Sequence, residues 1–178
     1  MCEHQKAPSR LPAKDKLACA SKRLSCWPFK AETCSPLTWW RRLPPEAFGD
    51  TERRLLVETI GRIGVLRGGA DLAAALSGDA AAAIRAALGL MPIGAITTRV
   101  DITMTALMCI ALHGNAAPAL VMAQVAGLTD LRHELAGELA AAWLVFGERH
   151  SDEPEKFGEA TLVLLSAFEE DPKKGDDA

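Results

Sequence analysis

The chain has 178 residues, 49% of them hydrophobic, and a formal net charge of −3. That length and apolar content suit one ordinary domain with flanking segments and exclude wholesale disorder. The charge is split: residues 1–42 carry nine Lys or Arg against three Asp or Glu, and residues 43–178 carry eleven against twenty. The acidic larger part therefore disfavours phosphate binding through the body.

Residues 1–42 read as a basic arm broken by Pro8, Pro12, Pro28 and Pro36. Cys2, Cys19, Cys26 and Cys34 lie there, with Cys109 the fifth cysteine of the chain. An odd count without a dense framework argues against a disulfide scaffold. The spacings also lack the close thiolate pairs that structural zinc uses, so no metal or cofactor is expected. No apolar leader is evident, and a reducing cytoplasm is the expected compartment.

Trp27, Phe29, Trp39, Trp40, Arg41 and Arg42 form the unusual feature of the arm. Large aromatics left in water cost solubility. They are expected to pack on the body or to meet a partner protein, and they are the candidate partner-binding residues. Lys22, Arg23 and Lys30 are the candidate contacts if the arm meets nucleic acid instead.

Leu43-Pro44-Pro45 marks the expected start of a helical domain over residues 43–170. Asp50 or Thr51 can cap a first helix, with Glu52 in its first turn. Leu55, Leu56, Ile60, Ile63 and Leu66 follow at helical spacing, with Arg53 and Arg54 among the wet positions. Gly61 and Gly64 weaken the interior by roughly 1 kcal/mol each relative to Ala. Gly68-Gly69 is the expected stop.

The next stretch says nearly the same thing twice. Ala75-Leu-Ser-Gly-Asp-Ala-Ala-Ala-Ala83 is echoed 36 residues later by Ala111-Leu-His-Gly-Asn-Ala-Ala-Pro-Ala119. Each copy predicts a helix, a Gly-Asp or Gly-Asn turn and a second helix. Between the copies, residues 93–98 fit either a strand or a turn. Asp101 is expected to cap a helix beginning at Ile102 and to accept an ion pair from Arg99. Ile102 to Leu112 has no polar face, which marks the central helix of a bundle. Pro118 falls in a first turn, where its missing N–H is harmless.

The motif Ala75-Leu76-x-Gly78-Asp79-x-x-x-Ala83-Ile84, partly kept at Ala111 to Leu120, resembles a fragment of the tetratricopeptide and related helical repeats. The resemblance implies stacked antiparallel helix pairs and a peptide-binding or scaffolding role. The second helix is about one turn shorter than that pattern asks.

Thr129 or Asp130 is expected to cap an amphipathic helix with Leu131, Leu135, Leu139, Trp143 and Phe146 along one stripe. A last helix over residues 158–168 places Leu162, Leu165 and Phe168 partly inward. Residues 171–178 read as a disordered charged tail. Thr105 to Leu128 contains no charge, but Gly114-Asn115 and Pro118 interrupt it, so buried helices and no membrane span are expected.

The familiar catalytic motifs do not occur. No phosphate-binding glycine loop, dinucleotide fingerprint, H-E-x-x-H or G-x-S-x-G is present. Cys109 and His113 share a helix face and are the sharpest enzymatic pairing available. Glu134 and Glu138 lack the histidines of a di-iron site. Ala116 to Val125 has no Lys or Arg, which argues against a DNA-reading helix.

The sequence thus predicts an all-α fold. It is an antiparallel helical bundle or a short stack of helical hairpins, with an extended N-terminal arm. A protein–protein interaction module is the expected function, as scaffold, adaptor or subunit, through another protein or self-association. The alternatives are a regulator touching nucleic acid through the arm and a small helical enzyme.

Overall fold

The computed structural model describes residues 27–63 and 69–170. The remaining arm residues and the expected charged tail lie outside that range. Among the described residues there are seven α-helices, three short 3-10 turns and no strand. The helices are α1 (Asp50–Gly61), α2 (Ala70–Leu76), α3 (Ala80–Leu88), α4 (Thr98–Leu112), α5 (Ala116–Leu128), α6 (Ala136–Arg149) and α7 (Pro154–Glu170). The 3-10 turns are Ala31–Thr33, Pro36–Arg41 and Pro45–Ala47.

The all-α expectation holds, and α4 is its axis. Every residue from Ile102 to Met108 is buried. A helix without a wet face needs cover on all sides. α1, α2, α3, α5 and the turn Pro36–Arg41 supply it. α6 then packs closely along α5, and α7 lies against both.

Small side chains set the spacing. Ala82, Ala83 and Ala87 on α3, and Ala119, Ala123 and Ala126 on α5, are all buried. Each contributes little area, but each lets a neighbouring helix approach. Met104, Leu107, Met108, Met122 and Trp143 fill what remains.

The two look-alike segments adopt the same local shape. Gly78 and Gly114 both have positive φ, +95° and +90°, a region that other L-residues enter at a cost. In the first copy Asp79 N–H donates to Ala74 O and Gly78 N–H to Ala75 O. Those are the paired bonds of a glycine-terminated helix end. In the second, Gly114 N–H donates to Ala111 O in the same way. Asp79 then caps α3, its Oδ1 accepting from Ala82 N–H at 2.9 Å. Asn115 takes the same backbone conformation at the start of α5 without a side-chain cap bond.

Several boundaries and faces differ from the sequence reading. α1 ends at Gly61 rather than at Gly68-Gly69, and buries only Leu56. Leu55 is exposed, because its neighbour on the helix already faces α4. Arg53 is not merely wet. Its Nη1 donates to Leu112 O at 2.7 Å and its Nε to Phe48 O, placing a cation at the C-terminal end of α4. α4 begins at Thr98 with Thr97 as the capping residue, not at Ile102 with Asp101. α6 begins at Ala136, so Leu131 and Leu135 precede it. Asp130 instead makes a local turn, its Oδ1 accepting from Arg132 N–H at 2.8 Å, with Arg132 at φ +60°.

The last helix starts at Pro154, where proline suits a first turn. Among its described side chains the buried ones are Phe157 and Leu164, two turns apart, and the Phe168 side chain lies outside the described residues. Gly147 on α6 explains the choice. A Cβ there would lie 2.5 Å from Phe157 Cζ and 3.3 Å from Ala119 Cβ. Only glycine leaves room for the Phe157 ring where α5, α6 and α7 meet. Leu162 and Leu165, expected inward, consequently face out.

The matched turns carry a quantitative expectation. Gly78→Ala should cost about 1–2 kcal/mol from backbone strain alone. Gly114→Ala should cost more, because its new Cβ would also meet His150 Cδ2 at 3.3 Å. Gly94→Ala, with nothing within 4 Å, is the control and should leave stability nearly unchanged. Urea unfolding midpoints in the order Gly94→Ala, Gly78→Ala, Gly114→Ala, highest first, are the expected result.

Candidate functional site

The segment from Trp27 to Phe48 carries the residues nominated as partner contacts, and the structure uses most of them internally. Trp39 and Trp40 are completely buried. Trp39 packs against Phe48 and donates its indole N–H to Cys34 O at 3.1 Å. Trp40 reaches α4 and donates its indole N–H to Asp101 Oδ1 at 2.8 Å. Both indoles are part of the cover that the turn Pro36–Arg41 lays on α4. Trp39 and Trp40 thus take the packing-on-the-body alternative, and the packed core begins before Leu43.

Asp101 is the hub of this contact. Besides Trp40, it accepts from Arg41 Nε at 3.1 Å and faces Arg41 Nη2 at 3.5 Å. Both side chains of the pair are mostly buried. The carboxylate sits in the first turn of α4, where the helix dipole favours negative charge. Thr105 Oγ1–H is shared between Asp101 O and Leu37 O, a second tie between α4 and the turn. Asp101 thus ties α4 to the turn Pro36–Arg41.

Trp27, Phe29 and Arg42 form an outer layer on the same segment. Trp27 donates its indole N–H to Arg42 O at 2.6 Å. The Phe29 ring faces His133 at 5.2 Å and lies under the Arg42 guanidinium at 5.7 Å. Arg42 Nη1 also approaches Cys34 Sγ at 3.3 Å. His133 Nε2 donates to Arg41 O at 2.6 Å, and its buried Nδ1 has no hydrogen-bond partner. These residues pin the segment to the loop between α5 and α6. They remain partly exposed. Lys30 is exposed, whereas Lys22 and Arg23 lie outside the described residues.

The enzymatic pairing does not assemble. His113 Nδ1 donates to Cys109 O at 2.8 Å and so caps the end of α4, leaving the imidazole committed to the backbone rather than to the thiol. Burial pushes the Cys109 thiol up to about 12, which keeps it protonated. His150 ends α6 in the same way, through Phe146 O, and stacks on the Phe146 ring. Among the described residues no group of three or more His, Cys, Asp or Glu could hold a metal ion. No described helix is long and apolar enough to cross a membrane.

The feature that periodicity missed is the outward ridge of α7. Glu155, Glu159, Leu162, Val163 and Ser166 fall on one exposed face at helical spacing. Leu162 is 67% exposed and Val163 73%, with Leu165 beside them at 42%. The only sequence signal for this was Gly147, whose missing side chain admits Phe157 and so fixes which face of α7 turns inward.

Comparison with known protein families, with curated proteins and with solved structures gave no match.

The Asp101 hub and the Cys109 thiol each give a test. Asp101→Ala strands both the Trp40 N–H and the Arg41 cation and should cost about 2–3 kcal/mol in chemical unfolding. Asp101→Asn keeps an acceptor for Trp40 and should cost roughly half as much. Equal losses for the two variants would show that the hub is not the tie described. Separately, Cys109 should resist iodoacetamide at pH 8 in the native protein and react only on unfolding, read by peptide mass spectrometry.

Proposed function

We propose that the protein is a protein–protein interaction module, acting as a scaffold, adaptor or subunit, and that the α7 ridge takes a basic segment bearing apolar side chains. The observation that carries this reading is the pairing of exposed Leu162 and Val163 with Glu155 and Glu159 on the same face. Apolar side chains held out in water favour burial against a partner. The surrounding charge selects its sign, because residues 152–170 hold six acidic side chains and one Lys. The capped His113 and the protonated Cys109 thiol speak against the enzyme alternative. Trp27, Phe29 and Arg42, partly exposed at the α5–α6 loop, are proposed as a second, separate contact surface. The proposed setting is the cytoplasm, in keeping with Cys34 and Cys109 as free thiols.

The test is a comparison of full-length protein with Val163→Glu. The substituted side chain touches solvent, so the unfolding midpoint should stay within a few degrees. Proteins that co-purify with the unsubstituted chain but not with Val163→Glu are then reconstituted from purified components. A direct complex weakened at least tenfold by Val163→Glu is expected. Co-purifying nucleic acid, released steeply by salt and indifferent to Val163→Glu, would overturn the reading in favour of the basic-arm alternative.

A further inference from the structure

We propose that the α7 ridge is covered by residues 10–24 of the protein's own N-terminal segment. This rests on the reading of α7 as a docking surface, and it names the occupant.

Three observations support this occupant. The first is charge. Residues 10–24 hold Arg10, Lys14, Lys16, Lys22 and Arg23 against Asp15 alone. The ridge presents Glu155 and Glu159, and the turn before α7 adds Asp152, while Glu153 pairs with Lys156 at 2.9 Å. A second copy of α7 is a poor occupant by the same measure, since each copy brings four Glu and one Lys over Pro154–Glu170. Like charges brought together across an interface oppose pairing.

The second is apolar content. Leu11, Leu17 and Leu24 are the large aliphatic residues of the segment. They match the exposed Leu162, Val163 and Leu165 in kind. Basic residues flanking leucines can satisfy both parts of the ridge at once, the carboxylates and the aliphatic surface between them.

The third is position and reach. The described chain begins at Trp27, which is fixed through Arg42, with Phe29 on His133 in the loop that precedes α6. A turn of four residues, 150–153, joins α6 to α7, and Phe157 anchors α7 at Gly147. Ten residues separate Leu17 from Trp27 and span up to about 35 Å when extended. The whole of α7, at 1.5 Å per residue, is about 26 Å long. The tether is thus longer than the ridge itself.

The experiment is site-specific photo-cross-linking on the purified full chain. Benzoylphenylalanine replaces Val163 on the ridge, and in a control it replaces Val57, an exposed residue on α1. Adducts are mapped by mass spectrometry. From position 163 the adducts should concentrate in residues 10–24, at least fivefold above those from position 57. Charge reversal of Lys14, Lys16, Lys22 and Arg23 to Glu should remove most of them. A cross-linked product at monomer mass places the segment on its own chain, and one at dimer mass places it on a second copy. Adducts with solvent alone, adducts elsewhere in the chain, or a yield indifferent to charge reversal would overturn the assignment. That failure leaves the function test intact, since reconstitution with a separate partner and its loss in Val163→Glu do not depend on residues 10–24.

Discussion

The constraint on which everything else depends is that α4 has no side fit for water. From Ile102 to Met108 each side chain is buried, so the helix is stable only when surrounded. Its neighbours are themselves modest. α2 and α3 are short and rich in Ala, and α1 buries only Leu56. The remaining gap is closed by Trp39 and Trp40, delivered by a 3-10 turn and locked by Asp101. A polar hub at that edge makes sense physically. Two indoles driven inward bring two N–H groups with them, and each must find an acceptor. Cys34 O and Asp101 Oδ1 are those acceptors.

Once the segment from Trp27 to Phe48, a strap across α4, is part of the core, the surface available to partners shifts. The aromatic content of the strap stabilises the fold, and its outer layer of Trp27, Phe29 and Arg42 serves mainly to seal the α5–α6 loop. The most exposed of the large apolar side chains described, Leu162 and Val163, lie instead on α7. Phe157 and Leu164 hold it, and Gly147 determines its rotation by admitting the Phe157 ring. The outward Leu and Val residues follow from that single close approach.

Much of the fold was legible in the residues. Gly78 and Gly114 announced helix ends because glycine enters the left-handed region cheaply, and the 36-residue echo turned out to be two turns of the same shape. The polar-free run of α4 announced a central helix. What periodicity could not convey was how neighbours compete for a residue. Asp101 looked like a cap from its place before Ile102, yet Thr97 caps the helix and frees the carboxylate for Trp40 and Arg41. Leu131 and Leu135 extended the α6 stripe on paper, yet the Asp130 turn holds them in a loop. On α7, three nearly equivalent faces carry Leu or Val, and no pattern within the helix says which one meets α6. The candidate site was therefore the least legible part, because exposure is decided by what lies opposite.

The central claim is that Trp39 and Trp40 belong to the core of the bundle, not to a free arm. Hydrogen exchange of the indole N–H groups, followed by nuclear magnetic resonance, tests it most directly. The account predicts that both protons exchange only as slowly as the most protected amides of α4, through global unfolding. Exchange of either within minutes, while the α4 amides stay protected, would contradict it.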